Sequence, residues 1–495
     1  MKRVILVISS VLAFGFWSEV FAESFGCPKP YSSHNPMSAT SFAKTYRGTS
    51  TDRAFSVQQT SDGGYTVAGY TNSFGAGSWD IFLIKTDANG NVVWAKTYGG
   101  TDWDNAYSVQ QTSDGGYIVA GETYSFGAGY YDIFLIKTDA NGNVQWAKTY
   151  GGTYYDYASS VQQTSDGGYI VAGRTRSFGA GYDDIFLIKT DANGNVQWAK
   201  TYGGTYNDEA YSVQQTSDGG YIVAGATASF GAGGDILLIK TDADGNIIWA
   251  KTYTYGETSY DIAYSVQQTS DGGYIVAGWT ESFGADGNIF LIKTDASGNV
   301  QWAKTYGGTG YDRAYSVQQT SDGGYIVAGW TWSFGAGHYD IFLIKTDANG
   351  NVVWAKTYGG TDWDYAYSVQ QTSDGGYIVA GYTESFGASY DDIFLIKTDA
   401  DGNIGSCSIV QNVSPTVNTV SPTVTTPSPS VSSVILTVYF ESPTVTSPTL
   451  TVSELCPLSI SELCQITSGL ITPYKGGIKV RGSGEFEVKV YNVSG

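Results

Sequence analysis

One unit of sequence occurs seven times, and it constrains the fold more than anything else in the chain. Its second copy reads YSVQQTSDGGYIVAGETYSFGAGYYDIFLIKTDANGNVQWAKTYGG, from Tyr107 to Gly152. The Ser-Asp-Gly-Gly landmark begins at Ser61, Ser113, Ser165, Ser217, Ser270, Ser321 and Ser373, at spacings of 52, 52, 52, 53, 51 and 52 residues. A period near 50 specifies a propeller or a solenoid. Each copy holds four runs rich in Val, Ile, Tyr, Phe, Thr and Trp, the composition of strands. In copy two these are Tyr107–Thr112, Tyr117–Thr123, Asp132–Thr138 and Asn143–Tyr150. Ser-Asp-Gly-Gly joins the first two, and Asp139-Ala140-Asn141-Gly142 joins the last two, as Gly-containing hairpin connections. The third run, Ile133-Phe134-Leu135-Ile136, is apolar at consecutive positions and needs cover on both faces. Radially stacked blades supply it.

The ends distinguish ring from solenoid. A tryptophan marks the fourth strand at Trp94, Trp146, Trp198, Trp249, Trp302 and Trp354, six times and not seven. The seventh copy runs out at Asp401-Gly402-Asn403-Ile404, and the strand it lacks stands before the first copy as Phe42-Ala43-Lys44-Thr45-Tyr46. The four strand types therefore each occur seven times in a cyclically shifted order. The expectation is all-β: a closed seven-bladed β-propeller of four-stranded antiparallel blades, shut by the N-terminal strand. A solenoid would want polar caps.

The unit DIFLIKTDANGNVxWAKTYGG with its preceding GGYIVAG resembles the bacterial β-propeller repeats called SBBP, and its strand layout is similar to kelch repeats. The resemblance covers residues 42–403. It implies a propeller fold in an exported protein and no particular activity. The run Asp139–Trp146 is similar to quinoprotein repeats, with the Asp–Gly spacing one residue shorter. The closing YNVSG is similar to the opening of type IX secretion sorting domains.

Residues 1–22 read as a secretory signal: Lys2 and Arg3, an apolar run Val4–Trp17, and a cleavage site at Val20-Phe21-Ala22. The run is short for a membrane span, and no other stretch is apolar enough to cross a bilayer. Residues 23–41 form a lead-in and 42–407 the propeller. Residues 408–452 are dominated by Ser, Thr, Pro and Val and read as an extended linker or stalk, with a short strand at Val434–Phe440. Residues 453–495 read as a small β module with a hairpin through Gly482-Ser483-Gly484. All four cysteines, Cys27, Cys407, Cys456 and Cys464, lie outside the repeats. Export permits disulfides. Ring closure would bring Cys27 to Cys407 and leave Cys456 to pair with Cys464, one of three pairings that four cysteines allow.

A net charge of −20 argues against nucleic acid as a partner. Catalytic sets are hard to place. The two histidines, His34 and His338, make no metal cluster, no Ser-His-Asp or Cys-His set is present, and nothing calls for a cofactor. Only carboxylate pairs for glycoside cleavage stay open.

The copies differ mainly in two loops, which a four-stranded meander places on one face of the ring. One joins the fourth strand to the next blade; the other joins the second strand to the third. Their varying positions carry Trp79, Trp103, Tyr124, Tyr131, Tyr154, Tyr155, Arg174, Arg176, Tyr260, Trp279, Tyr311, Trp330, Trp332, Tyr339, Trp363 and Tyr382. Drift at solvated positions should leave Lys, Glu, Ser and Thr. Aromatic anchors among adaptable polar groups are the composition of recognition surfaces. The expectation is an exported, non-catalytic recognition or adhesion module binding carbohydrate or protein on this face. The alternatives are a structural cell-envelope protein without a ligand and, third, a hydrolase or quinoprotein-like enzyme. A fixed Asp precedes each first strand, at Asp52, Asp104, Asp156, Asp208, Asp261, Asp312 and Asp364. Seven such carboxylates read as turn-stabilising groups in preference to a cation ring.

Overall fold

The computed structural model describes residues 3–8, 41–231, 233–254, 260–282, 286–387, 390–433, 436–440, 444–456, 471–474, 477–480 and 487–492. The chain divides into two units, Ala39–Leu455 and a second made of Met1–Ser38 with Cys456–Gly495. The larger is the seven-bladed propeller.

Each blade is an antiparallel meander. Blade 1 comprises Asp52–Gln59, Tyr65–Thr71, Asp80–Thr86 and Val92–Gly99, innermost to outermost. Blade 7 takes three strands from Asp364–Thr398 and its fourth from Phe42–Arg47, which pairs antiparallel with Asp392–Thr398. The cyclic shift read from the sequence is therefore how the ring closes. Phe42 meets Tyr65 of blade 1 edge-on at 6.1 Å, as Trp94 meets Tyr117 of blade 2 at 5.7 Å.

The hydrophobic core lies between blades. Ile81 and Leu83 of the third strand pack with Ala106, Val109, Tyr117 and Phe134 of blade 2, whereas Phe82 and Ile84 pack back against Ile378, Ile393 and Leu395 of blade 7. Consecutive apolar residues are thus buried on alternate faces. The tyrosine of each KTY strand reaches the next blade's tight turn: Tyr98 Oη donates to the Gly142 carbonyl at 2.7 Å. Gly142 has φ of 73°, and a Cβ there would stand 2.9 Å from the Trp94 ring. Glycine is needed on both counts.

The Gln-Gln pair of each innermost strand links neighbouring blades. Gln58 Oε1 accepts the Gln111 backbone N–H at 2.6 Å, and Gln111 Oε1 accepts the Ser61 N–H at 2.8 Å. These bonds continue across the seam between blades 7 and 1, where Gln370 Oε1 accepts from Gln59 N and Gln59 Oε1 accepts from Ser373 N.

Residues 410–454 are not an extended stalk. They supply a fifth, outermost strand to every blade, and visit the blades in reverse chain order. Val410–Asn412 pairs with blade 6, Thr416–Thr419 with blade 5, Thr423–Thr425 with blade 4, and Ser430–Ser433 with blade 3. Thr437–Phe440 then pairs with blade 2, Thr444–Thr446 with blade 1, and Thr451–Glu454 with the Phe42–Arg47 strand of blade 7. A seven-bladed ring leaves seven outer edges, each a row of unpaired backbone groups. The segment covers all of them. It is an edge-covering belt because its Val and Thr favour strands while its prolines fall at the corners between them.

The belt corrects the disulfide expectation. Cys407 is bonded to Cys456, not to Cys27, because a chain that circles the ring returns to where it began. Cys27 and Cys464 lie outside the described residues. In the second unit, Arg3–Ile8 pairs in parallel with Glu487–Asn492, and Ile471–Tyr474 pairs with Gly477–Val480. The expected hairpin between Gly477–Val480 and Glu487–Asn492 is replaced by these pairings, and its turn, residues 482–484, is outside the described residues. Among the described residues no helix is long and apolar enough to cross a membrane.

Candidate functional site

The two variable loops lie together on one face, stitched by backbone. Trp79 at the end of one loop bridges in parallel to Trp103 in the other, as do Tyr131 with Tyr155 and Tyr339 with Trp363. The Asp104 N–H donates to the Trp79 carbonyl at 2.8 Å, and the Tyr124 N–H to the Trp103 carbonyl at 2.7 Å. Side chains that differ between copies are therefore held on an ordered scaffold.

The fixed aspartates build that scaffold. Asp52 is buried; it accepts from the Thr71 hydroxyl, from Ser73 Oγ at 2.9 Å and from the Gly48 N–H at 2.7 Å. Asp104 repeats this with Thr123, Ser125 and Gly100. Burial raises the pKa of both carboxyls and these hydrogen bonds oppose the rise. Each carboxylate pins its own blade's two loops. Among the described residues no group of three or more His, Cys, Asp or Glu is arranged to hold a metal.

The predicted residues fall into three environments. Trp103, Tyr124, Tyr154, Arg176, Tyr260, Tyr311, Trp332 and Trp363 are exposed at the rim. Trp79, Tyr131, Tyr155, Arg174 and Tyr339 are half-buried. Trp279, Trp330 and Tyr382 are buried, only 7%, 8% and 6% exposed. These three follow the second strand's glycine, and the ladder sets each opposite the residue after the fixed Asp: Ile262 with Trp279, Arg313 with Trp330, Tyr365 with Tyr382. They form the wall of the channel mouth beneath the rim.

Below this wall lies a feature the variable positions did not reveal. The register of the innermost strand shifts between Ala54 and Ser56, and likewise in every blade. Such a bulge re-aims a side chain. The bulged residues are Phe55, Tyr107, Ser159, Tyr211, Tyr264, Tyr315 and Tyr367. Their rings meet around the axis: Tyr264–Tyr315 at 4.7 Å, Tyr315–Tyr367 at 4.6 Å, Tyr367–Phe55 at 4.7 Å and Phe55–Tyr107 at 5.5 Å. This aromatic collar is interrupted at Ser159. Farther along the axis, seven valines and seven glutamines, beginning with Val57 and Gln58, line a cavity of about 240 Å³.

Charge is distributed unevenly around the mouth. In blades 2–4, Glu122 accepts from Asn105 and Tyr107, and burial raises its pKa. Arg174 pairs with Glu209 at 2.5 Å over the Tyr157 ring, and Arg176 pairs with Asp183 at 2.7 Å. At the seam Arg53 pairs with Asp391 at 2.6 Å and lies over Tyr382. Glu384, exposed at the rim but partly desolvated beside Asp391, is pushed up to about 7 by that desolvation and by the hydrogen bond and charge it shares with that carboxyl. Blades 6 and 7 carry an aromatic wall, Trp330 touching Tyr339 and Tyr365, and Tyr365 touching Tyr382; the Arg313 guanidinium lies between Trp330 and Trp279 of blade 5.

Comparison with known proteins places this geometry in context. A family model described as holdfast attachment protein D matches residues 30–256. The regulatory protein FlaEY of Caulobacter vibrioides is 26% identical over 274 residues, which is 48% of this chain; the chain spans 28% of the length of that relative. Among solved structures, Sqt1 of Chaetomium thermophilum bound to the N-terminus of the ribosomal protein L10 is 11% identical, with TM-score 0.40 over 72% of this chain and 98% of that one. A subtype N11 neuraminidase-like protein of A/flat-faced bat/Peru/033/2010 is 13% identical, with TM-score 0.36 over 76% of this chain and 97% of that one.

Proposed function

We propose that this chain is an exported cell-surface recognition module that serves attachment and binds its ligand on the variable-loop face. The observation that carries the reading is the rim: Trp103, Trp332 and Trp363 stand 49%, 51% and 43% exposed on one face, among tyrosines, on loops tied down by buried aspartates. Exposed aromatics concentrated on a rigid face mark interaction sites. The similarity of residues 30–256 to a holdfast attachment family supports an adhesive role at the surface. The apolar run Val4–Trp17 supports export.

Glycan and surface-protein arrays probed with the full mature chain test this. Retention of a defined ligand is expected, with a loss of at least about tenfold for the combined Trp103→Ala and Trp363→Ala variant, as for truncated interface anchors. An array on which the two proteins behave alike would sink the reading.

A further inference from the structure

Among the described residues, Arg53, Arg174, Arg176 and Arg313 are the arginines at the varying positions of this face. Three are ion-paired: Arg53 with Asp391, Arg174 with Glu209 and Arg176 with Asp183. Arg313 is different. Its guanidinium lies 4.3 Å from the centre of the Trp279 ring, 5.3 Å from that of Trp330 and 5.8 Å from that of Tyr264. Its Nη1 makes one long hydrogen bond, 3.3 Å, to Tyr315 Oη, and its Nε has none. No carboxylate among the described residues lies within ion-pairing distance of it, in a chain whose net charge is −20.

Aromatic faces hold a cation in place without neutralising it. A guanidinium fixed in this way keeps donors for a planar anion, and carboxylate is the group its fork fits. Above it, Tyr311 and Trp332 lie two residues beyond Arg313 and Trp330. Their rings are within 10° of parallel, with centroids 6.2 Å apart, and both are exposed. Flat exposed rings suit the C–H faces of a sugar. The aliphatic side chains that line pockets for peptide anchors are nearly missing from this mouth: Ile262 and Ala226 are the aliphatic residues among its facing pairs.

Resting on the recognition reading above, we infer that the mouth at blades 5 and 6 binds an acidic oligosaccharide, with a uronic acid carboxylate on Arg313 and neighbouring sugar rings on Tyr311 and Trp332.

The test is titration calorimetry of the full mature chain with short oligomers of galacturonate, glucuronate, mannuronate and guluronate, their carboxyl-reduced neutral counterparts, and a peptide ending in a free carboxylate. At least one acidic oligomer is expected to bind, with affinity about tenfold or more above its reduced form. Arg313→Gln should lose that advantage, binding the acidic and reduced forms alike. Arg313→Lys should retain part of it, and melting curves of both variants show whether the fold survives. Equal affinity for acidic and reduced forms, no acidic binding across the panel, or an Arg313→Gln variant that binds as wild type would overturn the inference. If a neutral glycan or the peptide binds and Trp332→Ala abolishes it, the recognition face stands and only its assigned ligand fails. If no ligand depends on the face at all, both fail.

Discussion

Tyr46 stands opposite Val452 in the outermost ladder of blade 7, one of seven such pairings around the ring. Tyr98 faces Val445, Tyr150 faces Val438, Tyr202 faces Val431, Tyr253 faces Val424, Tyr306 faces Val417 and Tyr358 faces Val410. The tyrosines are about 50 residues apart and ascend; the valines are seven apart and descend. One blade thus corresponds to one belt heptad. Seven extended residues span roughly 23 Å, enough to step from one outer edge to the next.

If residues 410–454 are a belt, their amides are protected from exchange. The Val413 N–H donates to the Ala355 carbonyl at 3.0 Å, Val420 to Ala303 at 3.0 Å and Leu455 to Ala43 at 2.9 Å. Hydrogen exchange followed by mass spectrometry should show slow uptake in peptides covering 410–425, like that of the blade strands. Exchange at the rate of an unstructured Ser/Thr/Pro segment would rule the belt out.

The Cys407–Cys456 bond joins the belt's two ends and should matter for stability. It closes a loop of about 50 residues, so Cys407→Ser with Cys456→Ser is expected to cost about 2–4 kcal/mol. Guanidinium unfolding of the double variant against the oxidised wild type measures this. A midpoint unchanged between them would show that the belt's ladders alone hold it.

Closure of the ring by Phe42–Arg47 can be weighed at Tyr46. Its ring is 1% exposed, and its hydroxyl donates to the Gly90 carbonyl at 2.6 Å. Tyr46→Phe leaves that carbonyl buried without its donor and should cost about 1–3 kcal/mol. Tyr46→Ala also empties the seam between blades 7 and 1 and should cost about 3–5 kcal/mol. Equal, small losses in thermal melts would mean the seam is not part of the cooperative unit.

The ring was legible because its signals are local and repeated: four strand runs, two glycine turns, and a fourth strand displaced to Phe42–Tyr46. The belt was present in the sequence as well, as valines at 410, 417, 424, 431, 438, 445 and 452. Its composition concealed it. Short Thr-Val-Thr runs between prolines form strands only when an edge is offered, so propensity read without the partner gives an extended linker. The aromatic collar was hidden for another reason. Tyr107 sits in the nearly constant YSVQQ run, and a search for function among varying positions passes over it. Only the bulge between Ala106 and Ser108 turns its ring inward. The rim residues were found by their variation, but sequence could not separate Trp332 from Trp330, two residues apart and on opposite sides of the burial boundary.

That difference is itself testable. Trp330 is buried against Tyr339 and Tyr365, with the Arg313 guanidinium beside it. Trp330→Ala should destabilise by about 3–5 kcal/mol. Trp332, half exposed, should cost less than about 1 kcal/mol when truncated and yet reduce ligand retention. Melting temperature and array retention measured on the same two variants separate the roles. Matched stability losses would remove the distinction between wall and rim.

The seam of the mouth should also respond to pH. Glu384, exposed at the rim, is raised to about 7 by partial desolvation first, then by the hydrogen bond and repulsion from Asp391, against the opposing charge of Arg53. An unfolded glutamate titrates near 4.3. The folded protein therefore holds a proton that the unfolded chain releases between those values. For a carboxyl raised in this way, the stabilisation is fully present below about pH 4.3 and is lost as pH rises through about 7. Wild-type stability should thus fall across this window relative to Glu384→Gln, which cannot titrate. Asp391→Asn removes the neighbouring charge and should move the fall to lower pH. Urea midpoints of the three proteins at half-unit steps from pH 4 to 8 give the comparison. Parallel curves for wild type and Glu384→Gln would show that the Glu384 carboxyl titrates as an ordinary exposed one, and that Asp391 is balanced by Arg53 alone.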